Sequence, residues 1–394
     1  MLSENALKQL SIQMQEPAWV LGKRVEAFDQ FINERMPLFK YGIGIYFDVS
    51  SLDVNELDPK ESNGDISVKA PERVRVLNFS EALEKYGDLI SEHFLKKNKN
   101  ENKLTLLHKA FYNNGKVIVI PKNFDGKEPI YVALNLSTKT SIENLLVIAE
   151  ENSNAVIIET VKSAEKSGQK FRSQVVMAII RKNANVEFIS IQDFDKSVYN
   201  FCKRNASVDM GGFVYWVDCG IGSKLSQTRT LTDLNGFRAN SKSWGVVFGD
   251  KGQCYDIDCT TNHVASETTS DMLTRVVLND KAKAIYRGLI KINPNAINCE
   301  GYQKDDTILL SDDARADIVP NLEISNNDVK CSHGATISQV DEEKLFYMMS
   351  RGLDVKTAKK SIVEGFFEPV IARIQNEELR TKVLKSVSER LEVV

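Results

Sequence analysis

The spacing of apolar residues along this chain changes character twice. From Ala18 to Asn33 the set Trp19, Val20, Ala27, Phe28, Phe31 and Ile32 recurs at helical spacing. Pro17 stands just before this stretch, where proline suits a helix start, and Pro37 follows it. Residues 48 to 72 are polar and acidic (Asp53, Glu56, Asp58, Glu61, Asp65) and read as a long surface loop. A further helix is predicted from Ser80 to Leu95, with Ser80 as its N-cap and Glu81 and Glu84 in the first turn. The lysine- and asparagine-rich segment Lys96–Lys103 reads as a solvated loop.

From about residue 104 the pattern becomes one of short strands. Ala110 to Ile120 reads as a hairpin turning at Asn114-Gly115. Strand-like runs follow at Leu145–Ala149, Val156–Glu159, Val175–Ile180, Val186–Ile191, Phe213–Val217, Leu273–Leu278, Ile285–Ile292 and Thr307–Leu310. A polar residue followed by alanine recurs between these runs, as in Asn154-Ala155, Asn183-Ala184, Asn205-Ala206, Lys281-Ala282, Asn295-Ala296 and Asp313-Ala314. Such reuse of one corner is compatible with a β-solenoid, whose stacked rungs share a continuous core. A β-sandwich is the other reading, although the strand pattern is long for one. No helix-length amphipathic segment is seen between 104 and 330, which argues against alternating βαβ units. After His333 helices return: Glu342–Met349 up to a C-cap at Gly352, a second opening at Asp354, and a charged third over Asn376–Leu391. The expected organisation is a helical region over 1–103, a β core over 104–332 and a helical region over 333–394.

Composition narrows the function. The chain has 394 residues, 42% hydrophobic and 27% charged, with a net charge of -3. That is ordinary for a globular protein and lacks the basic surplus that nucleic acid binding needs. The N-terminus Met1-Leu2-Ser3-Glu4-Asn5 shows no signal peptide, and no apolar run approaches the roughly 20 residues of a membrane span, so a cytoplasmic protein without membrane contact is expected. The phosphate-binding pattern GxxxxGK[ST] is missing, so the chain is expected to bind no nucleotide alone. Gly220-Ile221-Gly222 lacks the third glycine and following helix of a dinucleotide loop. Neither GxSxG nor HExxH occurs.

Six cysteines (Cys202, Cys219, Cys254, Cys259, Cys299, Cys331) all lie in the C-terminal half without a CxxC pair. Most are expected to be small buried residues. Cys254 and Cys259 should point to opposite faces of one strand. Of four histidines, His93 is expected on a helix surface and His108 in an apolar strand. His263 lies in a threonine-rich strand, where it is hydrogen-bonded or helps fix a subunit interface. His333 differs. It stands two residues from Cys331 in Lys330-Cys331-Ser332-His333-Gly334, so in extended chain both side chains share a face. Thiolate and imidazole are suitable ligands for iron species, but two donors leave a site incomplete, and a purely structural role is the alternative.

That segment, Asp328 to Thr336, followed by Asp341-Glu342-Glu343-Lys344-Leu345-Phe346-Tyr347 and Ser350-Arg351-Gly352, resembles the C-terminal signature of the SufB/SufD family of iron–sulfur cluster assembly proteins. Leu309 to Asp317, Pro320 to Ile324 and Glu267 to Leu273 resemble the family as well, and Glu16 to Trp19 and Gly115 to Lys122 do so more loosely. The resemblance implies a right-handed parallel β-helix between helical ends. It implies a non-catalytic scaffold that binds a SufC-type ATPase through roughly residues 341 to 394. It further implies pairing with a SufB-type scaffold, or with a second copy, and a transient iron–sulfur cluster at that interface. In SufB the position matching Ala314 is a cysteine and a glutamate follows the histidine. Here Ala314 has no donor atom, and Cys331-Ser332-His333-Gly334 resembles the SufD form. By this resemblance His333 is a cluster ligand shared across the interface, with Cys331 as a second donor. Two alternatives remain: a SufB-like primary scaffold with a thiol such as Cys299 substituting, and a β-helix carbohydrate-active enzyme.

Overall fold

A computed structural model describes residues 2–60, 66–96, 101–163, 168–374 and 376–392. The chain opens with helices α1 (Glu4–Gln13) and α2 (Ala18–Asn33), a hairpin of β1 (Leu38–Gly42) and β2 (Ile45–Asp48), short strands β3 (Ser67–Lys69) and β4 (Arg75–Asn78), and helices α3 (Phe79–Ile90) and α4 (Lys103–Phe111). Sixteen strands follow: β5 (Asn114–Ile120), β6 (Ile130–Leu136), β7 (Thr140–Ala149), β8 (Asn154–Ser163), β9 (Lys170–Ile180), β10 (Asn185–Phe194), β11 (Val198–Val208), β12 (Phe213–Gly222), β13 (Leu225–Leu234), β14 (Asn240–Gly249), β15 (Cys254–His263), β16 (Thr269–Leu278), β17 (Lys283–Ile292), β18 (Cys299–Leu309), β19 (Arg315–Ile324) and β20 (Val329–Gln339). Helices α5 (Glu342–Ser350), α6 (Val355–Ile371) and α7 (Glu377–Glu392) close the chain.

From β5 on, odd-numbered strands form one parallel sheet and even-numbered strands the other, so each turn contributes one strand to each sheet. The result is a β-solenoid of about eight turns. Its interior takes every second side chain: Val186 and Phe188 on β10 stack on Val214 and Trp216 of β12. Corners between turns need a left-handed residue, and Asn123, Asn152 and Asn183 supply it at φ 55 to 56°. Their side chains form a ladder, with Asn152 Nδ2 donating to Asn123 at 3.1 Å and Asn183 Nδ2 to Asn152 at 3.2 Å. A small buried residue follows the left-handed one, as Ser153, Ala184, Ala239, Thr268 and Cys299 do. Of the recurrent pairs, Asn183-Ala184, Lys281-Ala282, Asn295-Ala296 and Asp313-Ala314 fall between strands, whereas Asn154-Ala155 and Asn205-Ala206 lie within β8 and β11. At the opposite corner Gly222 has φ +80°, and a Cβ there would stand 1.7 Å from the Phe194 carbonyl oxygen.

Both outer faces are covered. The N-terminal helices pack Phe31, Leu104, Leu107 and Phe111 against Ile142, Leu146, Phe171 and Tyr199 of the odd sheet. Helices α6 and α7 pack Val363, Phe367, Val370, Ile371, Val383 and Val387 against Ile189, Val217, Val246 and Val277 of the even sheet. Where a strand is covered on both faces the sequence reads as a continuous apolar run, as Leu145–Ala149 in the second half of β7 does.

Several expectations are corrected. Residues 103–111 form α4, not strand, so Asn114-Gly115 opens β5 and no hairpin turns there. The helix carries Leu104, Leu107 and Phe111 inward on a short apolar stripe that resembles a strand run. Asn78, not Ser80, caps α3, in a reciprocal box with Glu81. The loop after β2 is pinned rather than superficial: Val49, Leu52, Leu57 and Ile66 are buried, while 61–65 lie outside the described residues. Strand structure also persists past His333 to Gln339 before α5 begins. No described helix is long and apolar enough to cross a membrane.

Candidate functional site

The two ends of the solenoid differ. At the first end, β3 and β4 pair antiparallel with β6 and β5 and close both sheets under the N-terminal helices. At the other, β19 and β20 each have a neighbour on one side only. Their residues are mostly exposed or half-buried, and Ile324 and Ile337 are among the exposed apolar side chains. An edge strand of ten or eleven residues offers a row of N–H and C=O groups along its outer side to another chain. Pro320, Lys330 and Arg315 blunt this edge only partly.

Cys331 and His333 stand on that last rung. The register sets Cys331 beside Gly301 and His333 beside Gln303, both buried residues of β18. In-register parallel strands stack like-facing side chains, so thiol and imidazole extend the inner column over the open end. A Cβ on Gly301 would lie 3.2 Å from Cys331 Sγ, so the thiol rests on bare backbone. Burial pushes the Cys331 thiol up, and a hydrogen bond with the Gly301 backbone works against that. His333 is exposed.

The remaining thiols are poor ligands. Burial pushes Cys202 up to about 11, Cys259 up to about 12, and Cys219 and Cys254 upward as well. Cys299 is fully buried, its Sγ 3.2 Å from Thr268 Oγ1. Cys259 is buried and Cys254 half-buried on β15, as their odd spacing predicts. Ala314, 7% exposed, packs with Ala282 and Leu278 at a corner. Among the described residues no three His, Cys, Asp or Glu side chains lie close enough to share a metal. Cys331 and His333 alone fall short of the about four donors that a metal site takes.

The two buried histidines are satisfied inside the chain. His263 contacts Thr268 Oγ1 at 2.8 Å and Ser270 Oγ at 2.9 Å. His108, on α4 rather than a strand, contacts Ser173 Oγ at 2.8 Å and Asn144 Oδ1 at 2.9 Å. Sequence reasoning missed a charged interior. Arg172 bonds Glu143 at 3.1 Å and Glu159 at 3.4 Å, and Arg204 pairs with Asp218, all inside the middle turns. Its only signal was single charges set in apolar runs, such as Glu143 after Ile142.

The sequence profile described as SUF system FeS cluster assembly, SufBD core domain, matches residues 132–366. The chain belongs to the SufBD family. The match runs from β6 into α6, so it takes in most of the solenoid, the Cys331–His333 rung and α5. An iron–sulfur cluster assembly SufBD family protein of Staphylococcus saprophyticus is 28% identical, covering 93% of this chain and 88% of its own length. A relative of the same description from Staphylococcus epidermidis is likewise 28% identical with the same coverage, and one from Staphylococcus haemolyticus is 27% identical. Membership in this family leaves the carbohydrate-active reading without support.

Proposed function

We propose that this chain is a non-catalytic scaffold subunit of the SufD kind in a SUF iron–sulfur cluster assembly complex. It pairs through its open end with a SufB-type scaffold, or with a second copy of itself, and binds a SufC-type ATPase. The cluster is cargo, held transiently where Cys331 and His333 meet donors of the partner. The observation that carries this reading is the placement of a thiol and an imidazole on a terminal edge strand, with too few donors among the described residues to finish a site. Ala314, which has no donor atom, and sealed Cys299 favour the SufD kind over a primary scaffold. An exposed apolar set on α5, the following link and the first residue of α6 (Phe346, 73% exposed; Tyr347, 59%; Met349; Leu353; Val355) supports ATPase docking there. The chain is taken to bind no nucleotide alone and to work in the cytoplasm.

The test is anaerobic cluster formation by a complex co-purified with SufB- and SufC-type partners. His333→Ala should leave the complex intact and lower cluster yield several-fold, with a smaller loss for Cys331→Ser. Full yield from both variants would end the ligand reading. Phe346→Asp should release the ATPase alone, and retained ATPase would move its docking surface elsewhere.

A further inference from the structure

Three polar atoms in the last complete turn have no hydrogen-bond partner, Nε2 and Oε1 of Gln303 and Oδ2 of Asp305, and the hydroxyl of Tyr286 has Thr274 alone beside it. The three side chains are at most 1% exposed. Tyr286 stands two residues from Gly288 on β17 and Asp305 two residues from Gln303 on β18, so each pair shares the inner face of its strand. The Gln303 amide crosses the interior onto Gly288, where a Cβ would stand 2.1 Å from Nε2. The Asp305 carboxyl acts electrostatically on the Tyr286 phenol, and its other oxygen accepts from Thr307 Oγ1 at 3.2 Å. The terminal rung roofs them: His333 over Gln303, Ala335 over Asp305, Ile318 over Tyr286 and Pro320 over Gly288. That rung is itself half-open to solvent.

Buried amides and carboxyls in folded proteins are almost always hydrogen-bonded, to protein or to ordered water. A polar space with several converging donors and acceptors holds water, whereas an apolar one stays dry. We propose that Gln303, Asp305 and Tyr286 form a binding chamber for a small hydrogen-bonding guest, water in the resting chain, directly beneath the His333 imidazole. Gln303 offers two donors and an acceptor. Burial pushes the Asp305 carboxyl up to about 8, so at neutral pH it is mostly protonated and also donates. Gly288 is required because any side chain there would fill the amide's place. The chamber does not depend on metal binding at His333, so it stands or falls separately from the cluster reading.

Two measurements on the full chain test it. A high-resolution crystal structure should show solvent density within hydrogen-bonding distance of Gln303 Nε2 or Oε1 and Asp305 Oδ2. An empty chamber there overturns the proposal. The near-isosteric Gln303→Met should lower Tm by about 2 °C or more, because the guest loses its partners. A rise in Tm would mean that the amide was an unfilled polar group, and the proposal would fall.

Discussion

Arg24 and Glu16 show how a single residue can organise the N-terminal region. The guanidinium is fully buried, bonds Glu16 at 2.7 and 2.8 Å, and donates to the carbonyls of Ala110 and Tyr112 at 2.8 and 2.9 Å. It lies 3.5 Å over the Tyr112 ring. It thereby ties α2 to the end of α4. Removing one partner of a buried ion pair strands the other, at a cost of about 3–5 kcal/mol. Arg24→Ala should lose that much in urea unfolding, and a loss below about 1 kcal/mol would contradict the account. The buried histidines predict a pH dependence. Burial lowers His108 and His263 to about 4, below the ordinary 6.5. Between those values the unfolded chain binds more protons than the folded one, so stability falls as pH drops from 6.5 to 4. The loss is at most about 3 kcal/mol per residue. His108→Gln should flatten the acid limb of stability measured by denaturant titration, and an unchanged slope would remove His108 as its source.

At the scale of elements, the strands fall into two kinds. Stretches such as Leu145–Ala149 of β7 and Val186–Ile191 of β10 are visible in sequence because core and covering helices both select apolar residues there. Strands such as β13 and β15 are not, because Ser226, Thr230 and Thr261 also fill the interior and leave little contrast between faces. Helix α4 misled for the opposite reason, since nine residues are too few to establish a period of 3.6. The C-terminal helices have two duties. Helices α6 and α7 cover the apolar outer face of the even sheet, while α5 has no buried residue. Deleting 351–394 should therefore expose that face and make the chain aggregate, as read by light scattering. Tyr347→Ser on α5 should leave the chain monodisperse. A soluble, cooperatively unfolding truncation would show that the cover is dispensable.

The whole molecule is a rod closed at one end and open at the other. Most interactions run between adjacent turns, so the terminal turn lacks what a further turn would supply. Ile324→Lys and Ile337→Lys alter exposed side chains of the last strands and should leave Tm within about 1 °C. Together they should weaken pairing with a SufB-type partner, or self-association, at least tenfold by analytical ultracentrifugation. Unchanged pairing would place the interface away from the open end.

The sequence by itself determined the order of helical, β and helical regions, the family, and the shared face of Cys331 and His333. Each follows from local periodicity or contiguous residues. Only the tertiary structure decided that this face crowns an unpaired edge, that Gln303 and Asp305 lie beneath it, and that Glu143, Glu159, Arg172 and Arg204 meet in the interior. Those groups are brought together by stacking turns about thirty residues apart, a period too long and too variable for side-chain patterning to register. Which edge stays open depends on where stacking stops, and that is a property of the assembled rod.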